Sequence, residues 1–103
     1  MSKHYVLAKA AAADLIEIIR YTNQQWGRAQ CLTYISQLEK AADSVAKGEG
    51  AFKNMDLLHP QLRMANYGRH FIFCLPRANA RPLILAIFHE RMDIMARLRG
   101  RLT

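Results

Sequence analysis

The fold is decided by residues 67–93, Y-G-R-H-F-I-F-C-L-P-R-A-N-A-R-P-L-I-L-A-I-F-H-E-R-M-D. This stretch holds two short apolar runs, Phe71–Leu75 and Leu83–Phe88, joined by a polar connection with a proline at each end. Apolar runs of this length, bounded by turn formers, are typical of β-strands. The second run is apolar at every position, which predicts a central strand buried on both faces. Because it leads directly into the polar sequence His89–Asp93, we expect a functional site at that end.

Two amphipathic helices are predicted ahead of this sheet, because apolar residues recur there at helical spacing. The first starts near Ala10 and ends at Gly27, and the second starts near Arg28 and ends at Gly48. The break between them is short, which predicts an antiparallel helical hairpin. The seam of the second helix is Cys31, Ile35, Leu38, Ala42 and Val45. The apolar face of the first is Ala11, Leu15, Ile18, Ile19 and Trp26, with Thr22 as the one polar residue in it, whose methyl group can still pack.

The remaining elements are short. Residues 4–8 and 62–66 read as strands, residues 51–61 as a loop, and residues 94–102 as a C-terminal helix of about two turns. The order β-α-α-β-β-β plus this helix predicts an α+β fold, in which the hairpin packs on one face of a small, mostly antiparallel sheet. One shared core is expected from Leu15, Ile18, Ile19, Trp26, Ile35, Leu38 and Phe73.

Length and composition narrow the class of protein. With 103 residues, a single domain over residues 1–103 is expected, large enough to bury a core unaided. No apolar run approaches the roughly 20 residues of a membrane span, and the N-terminus lacks a signal-peptide pattern. We therefore expect a cytoplasmic protein with no membrane partner. Cys31 and Cys74 lie in apolar patterns and are expected to be buried free thiols.

Positive charge is concentrated in the C-terminal part of the chain. The formal net charge is +7. Residues 1–60 carry seven Lys or Arg against six acids, whereas residues 61–103 carry eight Arg against two acids. Arg presents a planar fork that suits carboxylate and phosphate groups. The candidate partners are therefore nucleic acid or an acidic protein segment.

Few patterns indicate catalysis. The four histidines are scattered and neither Cys has a close partner, so no metal site and no cofactor are expected. RNA cleavage needs a general base, a cation for the phosphorane and an acid. His89 with Arg63 and Arg91 supplies part of that set, without an evident second acid or base beside His89. The alternative is that these side chains are solvated charges or contact an acidic partner.

Two aromatic residues of the first helix are candidates for base stacking. Tyr21 and Trp26 are five residues apart, so they point about 140° away from each other and are not expected to form one platform. We expect Trp26 in the core, as its periodicity indicates, and Tyr21 at the core boundary with its hydroxyl in water.

A series of short motifs also runs in a fixed order from Leu7 to Leu98. The helices carry Ala12-x-Asp14-Leu15-x-x-Ile18-x-x-Tyr21, Trp26-Gly27-x-x-Gln30 and Tyr34-x-x-x-Leu38, and the sheet carries Arg63, Tyr67-Gly68-x-His70-x-Ile72-Phe73 and Ile87-Phe88-His89-x-Arg91-Met92-Asp93. In this order and at these distances they resemble the ParE branch of the RelE/ParE toxin superfamily. Two departures are Ala8-Lys9, where the family often has Ser-Pro, and Phe88, where Leu usually precedes the histidine.

The resemblance implies the toxin of a type II toxin–antitoxin pair that acts by binding and is not an enzyme. ParE-like toxins poison DNA gyrase and are held inactive by a cognate antitoxin, and the pair can form higher-order assemblies. RelE-like relatives instead cleave mRNA on the ribosome, and this is the alternative, with His89, Arg63 and Arg91 as catalytic candidates. Glu90 stands where a ribonuclease of this group often has Tyr, which favours the gyrase interpretation.

Site residues follow from this interpretation as expectations. Residues 94–103 are expected to carry toxicity and to contribute less to the fold. The antitoxin is expected to present an acidic segment to Arg63, Arg69, His70 and Arg77. The target is expected to contact His89, Arg91, Met92, Asp93, Arg97, Arg99 and Arg101.

Overall fold

The α+β fold predicted from the sequence is confirmed. A computed structural model describes residues 3–102. Its two-residue strand β2 lies inside the region that was expected to be a loop. Lys53 and Asn54 show no apolar alternation, so the sequence pattern did not predict this strand. None of the helices within residues 3–102 is long and apolar enough to cross a membrane. The elements are β1 Val6–Leu7, α1 Lys9–Trp26, α2 Arg28–Lys47, β2 Lys53–Asn54, β3 Arg63–Tyr67, β4 His70–Leu75, β5 Leu83–His89 and α3 Ile94–Leu102.

Strand β5 lies inside a five-stranded sheet with the order β1-β5-β4-β3-β2. It pairs in parallel with β1 and antiparallel with β4, and the other pairings are antiparallel. The mostly antiparallel sheet is therefore confirmed. Residues 84–88 of β5 are all buried, as the unbroken apolar run predicts.

The apolar core is divided between the two faces of the sheet, so the expectation of one shared core is wrong. Successive strand residues point to opposite faces. Ile72 consequently packs under the α1–α2 hairpin, whereas Phe73 packs on the other face together with Leu98 of α3. Of the other expected core residues, Ile18 and Leu38 are buried under the hairpin and Leu15 and Ile35 are partly buried there.

Trp26 and Ile19 are surface residues, which contradicts their predicted burial. Trp26 is 62% exposed and Ile19 is 40% exposed. The buried stripe of α1 is formed by Ala11, Ile18 and Thr22. These smaller side chains lie close to one line along the helix, while Trp26 lies about 80° round the helix from Ile18. The helix therefore packs through this narrow stripe, and Trp26 remains exposed beside the stripe.

Both cysteines are free and buried, as predicted. The Cys31 thiol donates to the carbonyl of Ile19 at 3.5 Å, which links α2 to α1. Burial raises the pKa of the Cys74 thiol to about 11. That thiol therefore stays protonated at neutral pH, a state in which cysteine is a poor nucleophile.

Trp26→Ala is expected to lower the free energy of unfolding by less than about 1 kcal/mol, because Trp26 is a surface residue. Leu38→Ala, the matched change in α2, is expected to lower it by about 2–5 kcal/mol, because Leu38 is buried under the hairpin. Urea unfolding followed by circular dichroism measures both values. Equal losses in the two variants would contradict the surface assignment of Trp26.

Candidate functional site

A groove of about 330 Å³ lies where the helical hairpin meets one end of the sheet. Tyr21 and Trp26 line it while remaining 59% and 62% exposed. The full lining is Tyr21, Thr22, Trp26, Gln30, Tyr34, Gly68, Arg69, His70 and His89. Large aromatic side chains that border a groove and stay open to solvent mark a contact surface.

Tyr21 and Trp26 share this groove although they point about 140° apart on α1. Thr22 lies between their directions and is buried against the sheet. The two aromatic side chains therefore flank the strip of helix that packs down, and both reach the groove. The two residues therefore border the same groove, although they point in different directions and the expectation that they form no single stacking platform stays a prediction.

Two histidines meet in the groove on neighbouring strands. His70 opens β4 and pairs with His89, which ends β5. Their ring centroids are 5.3 Å apart and the planes are nearly perpendicular. The sequence pattern did not indicate this second imidazole beside His89, because it comes from another strand. The antiparallel register of the two predicted strands is the signal that locates it.

Hydrogen bonds fix both imidazole rings. The hydroxyl of Tyr34 lies 2.6 Å from Nδ1 of His70 and shares a hydrogen bond with it. The backbone N–H of Arg91 donates to Nδ1 of His89 at 3.1 Å. A neutral His89 therefore carries its proton on Nε2.

Burial sets the protonation state of His70. The residue is only 8% exposed. Burial, assisted by the neighbouring His89, lowers the pKa of His70 from 6.5 to about 4, so its ring is neutral at pH 7. Burial also raises the pKa of the Tyr34 hydroxyl. The pair supports the groove as hydrogen-bonded packing, and neither group is poised for proton transfer near pH 7.

Gly68 allows Tyr34 to reach His70. Its φ of 57° in the β3–β4 turn is left-handed, a conformation that favours glycine. A Cβ at this position would lie 2.6 Å from the Tyr34 hydroxyl oxygen. That oxygen also accepts the backbone N–H of Arg69 at 3.3 Å. The turn, the tyrosine and the histidine are thus held together as one unit.

Arg63 lies away from this groove. Its Nη1 donates to the carbonyl of Val45 at 3.0 Å, and its guanidinium lies 5.1 Å from the ring centroid of Phe52. A cation at the C-terminus of α2 satisfies carbonyls that have no partner within the helix. Arg63 pairs with Cys74, which pairs with Ile84, five residues before His89 on β5. The two side chains are therefore separated by about 15 Å along the sheet, and the structure does not bring the catalytic candidates His89, Arg63 and Arg91 together.

The other residues expected to contact the antitoxin differ in exposure. Arg69 is exposed and lines the groove. Arg77 is exposed in the β4–β5 connection, where its Nε donates to the carbonyl of Arg81 at 2.8 Å. His70 is almost fully buried. Arg69 is consequently the cation of this set that stands beside the aromatic residues of the groove.

The segment expected to contact the target contains free cations and one helix cap. Asp93 Oδ1 accepts the backbone N–H of Ala96 at 3.4 Å, the position that an N-cap residue occupies. Arg97 and Arg99 are exposed on α3. No acid among residues 3–102 forms an ion pair with either of them. Arg91 and Met92 are also exposed, in the turn before the helix.

Arg101 is engaged inside the protein. Its Nη1 and Nη2 reach the two carboxylate oxygens of Asp14 at 2.9 and 2.8 Å, and both side chains are largely buried. The guanidinium also lies 4.9 Å from the ring centroid of Phe88. Together with the fully buried Leu98, these contacts anchor α3 to the sheet. The expectation that the tail contributes little to the fold is therefore wrong.

The Asp14–Arg101 pair completes an edge of β5 that β1 leaves open. Leu85 has no partner in β4, since the register passes from Ile84 to Ala86 at a β-bulge. A bulge redirects backbone groups. The carbonyl of Leu85 accepts from Arg101 at 3.0 Å, and the N–H of Ile87 donates to Asp14 at 3.1 Å. The ion pair thus satisfies backbone groups that would otherwise be buried without partners.

A helical hairpin on a mostly antiparallel sheet, with part of the motif residues at one groove, fits the toxins of the RelE/ParE superfamily. A family model described as "ParE toxin of type II toxin-antitoxin system, parDE" matches residues 5–94. The chain belongs to this ParE toxin family. Membership implies an antitoxin as its partner.

Three curated relatives are similar to the chain over most of its length. Toxin ParE of Escherichia coli is 53% identical over 98 residues, which is 95% of each chain. Toxin ParE1 of Mycobacterium tuberculosis (strain H37Rv) is 31% identical over 94 residues, 91% of this chain and 96% of that one. Toxin ParE1 of Caulobacter vibrioides is 30% identical over 96 residues, 93% of this chain and 98% of that one.

The free energy of unfolding is expected to fall as the pH is lowered from 6.5 to about 4, because in that window the unfolded chain binds a proton at residue 70 and the folded chain does not. Above this window neither state is protonated there, and below it both are. His70→Asn keeps an acceptor near Tyr34 and does not titrate. The variant should therefore lack this pH-dependent fall in the free energy of unfolding, which is on the order of 3 kcal/mol in the wild type. Urea unfolding across the window measures the effect. Parallel pH profiles for the variant and the wild type would refute it.

Arg101→Gln is expected to cost about 3 kcal/mol or more, because it leaves the largely buried Asp14 carboxylate without its cation. Arg99→Gln, two residues earlier and exposed, is expected to change stability by less than about 0.5 kcal/mol. Urea unfolding compares them, and an Asp14→Asn/Arg101→Gln double variant should lose less than the sum of the single variants. Similar small losses for Arg101→Gln and Arg99→Gln would restore the view that the tail is dispensable for folding.

Proposed function

We propose that this toxin poisons DNA gyrase by binding to it, and that a cognate antitoxin prevents this by covering the toxin. Membership of the ParE family is the observation that carries the proposal. The excess of Arg in residues 61–103 supports it, since a gyrase–DNA complex offers both carboxylates and phosphates to such groups. A ligand that binds the DNA-cleaved state of gyrase more tightly than the resting state increases the population of the cleaved state.

The proposed action is binding without catalysis. Three observations favour it over ribosome-dependent mRNA cleavage of the RelE type. Arg63 is held at the far end of the sheet by the C-terminus of α2. The pKa of His70 is lowered to about 4, so at neutral pH it cannot serve as the acid beside His89. Glu90 occupies the position after His89 where a ribonuclease of this group often has Tyr.

The proposed antitoxin contact is the groove between the hairpin and the sheet. Tyr21 and Trp26 supply exposed aromatic surface, and Arg69 supplies a cation beside it. An antitoxin segment with apolar and acidic residues complements that combination. Arg77 is exposed in the β4–β5 connection, at the opposite end of β4 from His70, where it offers an antitoxin a separate cation. His70 is buried beneath the groove and supports it, whereas Arg63 is engaged at the C-terminus of α2, away from this surface.

The proposed target contact lies on the C-terminal part of the chain. Arg91, Met92, Arg97 and Arg99 are exposed there and are available to a target. His89 is part of both regions, because its ring borders the groove while its strand leads into this segment. Asp93 and Arg101 contribute indirectly, since the first caps α3 and the second anchors it.

The test measures gyrase activity and translation side by side. Purified toxin should inhibit supercoiling of plasmid DNA by gyrase and accumulate cleaved DNA, and addition of the cognate antitoxin should reverse both effects. The same toxin should leave ribosome-bound mRNA intact. Site-specific cleavage of that mRNA, abolished by His89→Ala, would favour the RelE-type alternative and overturn the gyrase proposal.

A further inference from the structure

A second cleft, of about 370 Å³, lies on the face of the sheet opposite the hairpin. It separates the loop after β2 from helix α3. Leu57 is fully exposed at this cleft and Met95 is 42% exposed, while Met55 and Leu58 pack against the cluster around Phe73 and Leu98. Its lining is Asn54, Met55, Asp56, Leu57, Leu58 and Met95. The cleft is therefore an open apolar surface that rests on the core.

The loop side of the cleft is held by hydrogen bonds. The N–H of Met55 donates to the carbonyl of Leu62 at 2.7 Å, and the N–H of Leu58 donates to the carbonyl of Met55 at 3.0 Å. The Asp56 carboxylate accepts the N–H of Gln61 at 2.9 Å. On the other side, Leu98 and Arg101 fix α3 to the sheet. The cleft is thus preformed, which reduces the entropy that a partner loses on binding.

Cations are distributed unequally around the cleft. Arg99 follows Met95 by four residues, so it lies one turn along the same side of α3. Arg97 lies about 160° round the helix from Arg99, on the other flank. Both arginines are exposed and neither pairs with an acid within residues 3–102. The cleft therefore has Arg99 at its border, with no acid of residues 3–102 in an ion pair with it.

We infer that this cleft receives an apolar side chain from an acidic segment of the gyrase protein, and that Arg99 pairs with a carboxylate of that segment. The inference rests on the proposed function for the identity of the partner. An apolar lining and an exposed leucine suit a peptide side chain better than a DNA phosphate, and the Asp56 carboxylate is engaged by the N–H of Gln61. Methionine side chains such as Met95 adapt their shape to the group they contact. The antitoxin is proposed for the hairpin groove, on the opposite face of the sheet, which leaves this cleft to the target.

The experiment compares two matched pairs of variants of the full chain. Leu57→Asp places a charge in the cleft at a fully exposed position, and its control is Ile16→Asp, at an exposed apolar position on α1. Arg99→Gln removes the cation beside the cleft, and its control is Arg28→Gln, which changes an exposed arginine at the start of α2, outside the proposed target contact. Thermal unfolding verifies that all four variants fold as the wild type does. Binding to each purified gyrase subunit, and separately to a short DNA duplex, is measured by biolayer interferometry.

Leu57→Asp and Arg99→Gln should weaken binding to one gyrase subunit, in the absence of DNA, by about tenfold or more. Their two controls should change it by about twofold or less. If the wild type binds a gyrase subunit and all four variants bind equally well, the inference about the cleft is wrong while the proposed function stands. Loss of binding to the duplex alone would also overturn it, in favour of a DNA contact. A wild-type toxin that binds neither subunit and produces no gyrase-dependent cleavage would overturn both proposals.

Discussion

Strand β5 imposes the constraint on which the rest of the structure depends, because its apolar residues must be shielded from water on both faces and its backbone must be paired on both edges. The hairpin covers one face, and α3 with the loop before β3 covers the other. Strand β4 supplies one edge, and β1 supplies only the first part of the second edge. Because β1 ends at Leu7, the remainder of that edge, which includes the bulge residue Leu85, is left to Asp14 and Arg101. The first and the last helices are thereby brought to the same strand.

The main strands and helices could be predicted from sequence patterns. Which side chains pack against the sheet could not, because tertiary packing decides it. The apolar runs located β4 and β5, and helical spacing with Gly27 and Gly48 located the hairpin, because local chemistry determines these features. Helical spacing does not say which side chain of an apolar seam touches the sheet. Thr22 packs there and Trp26 does not, because the smaller side chain permits closer approach. The pairing of His70 with His89 required the register of two strands, which no local pattern contains.

The formal net charge overstates the number of cations that are available to a binding partner. Of the eight Arg in residues 61–103, Arg63 and Arg101 are partly buried and their guanidinium groups hydrogen-bond within residues 3–102. Sequence position did not distinguish Arg101 from Arg99, although their environments differ completely. The distinction arises because Arg101 faces Asp14 across 87 residues of chain. Such a long-range ion pair leaves no trace in the spacing of neighbouring residues.

The separation of Asp14 and Arg101 along the sequence also affects when the fold can be completed during synthesis. Ribosomes add roughly 5–20 residues per second, so several seconds pass between the appearance of the carboxylate and that of its cation. From the synthesis of β5 until that of Arg101, the bulge carbonyl of Leu85 at the outer edge of the strand lacks its donor. A chain released early by interrupted translation lacks it permanently. The ion pair therefore makes the outer edge of β5 depend on a residue that is synthesised after the strand itself.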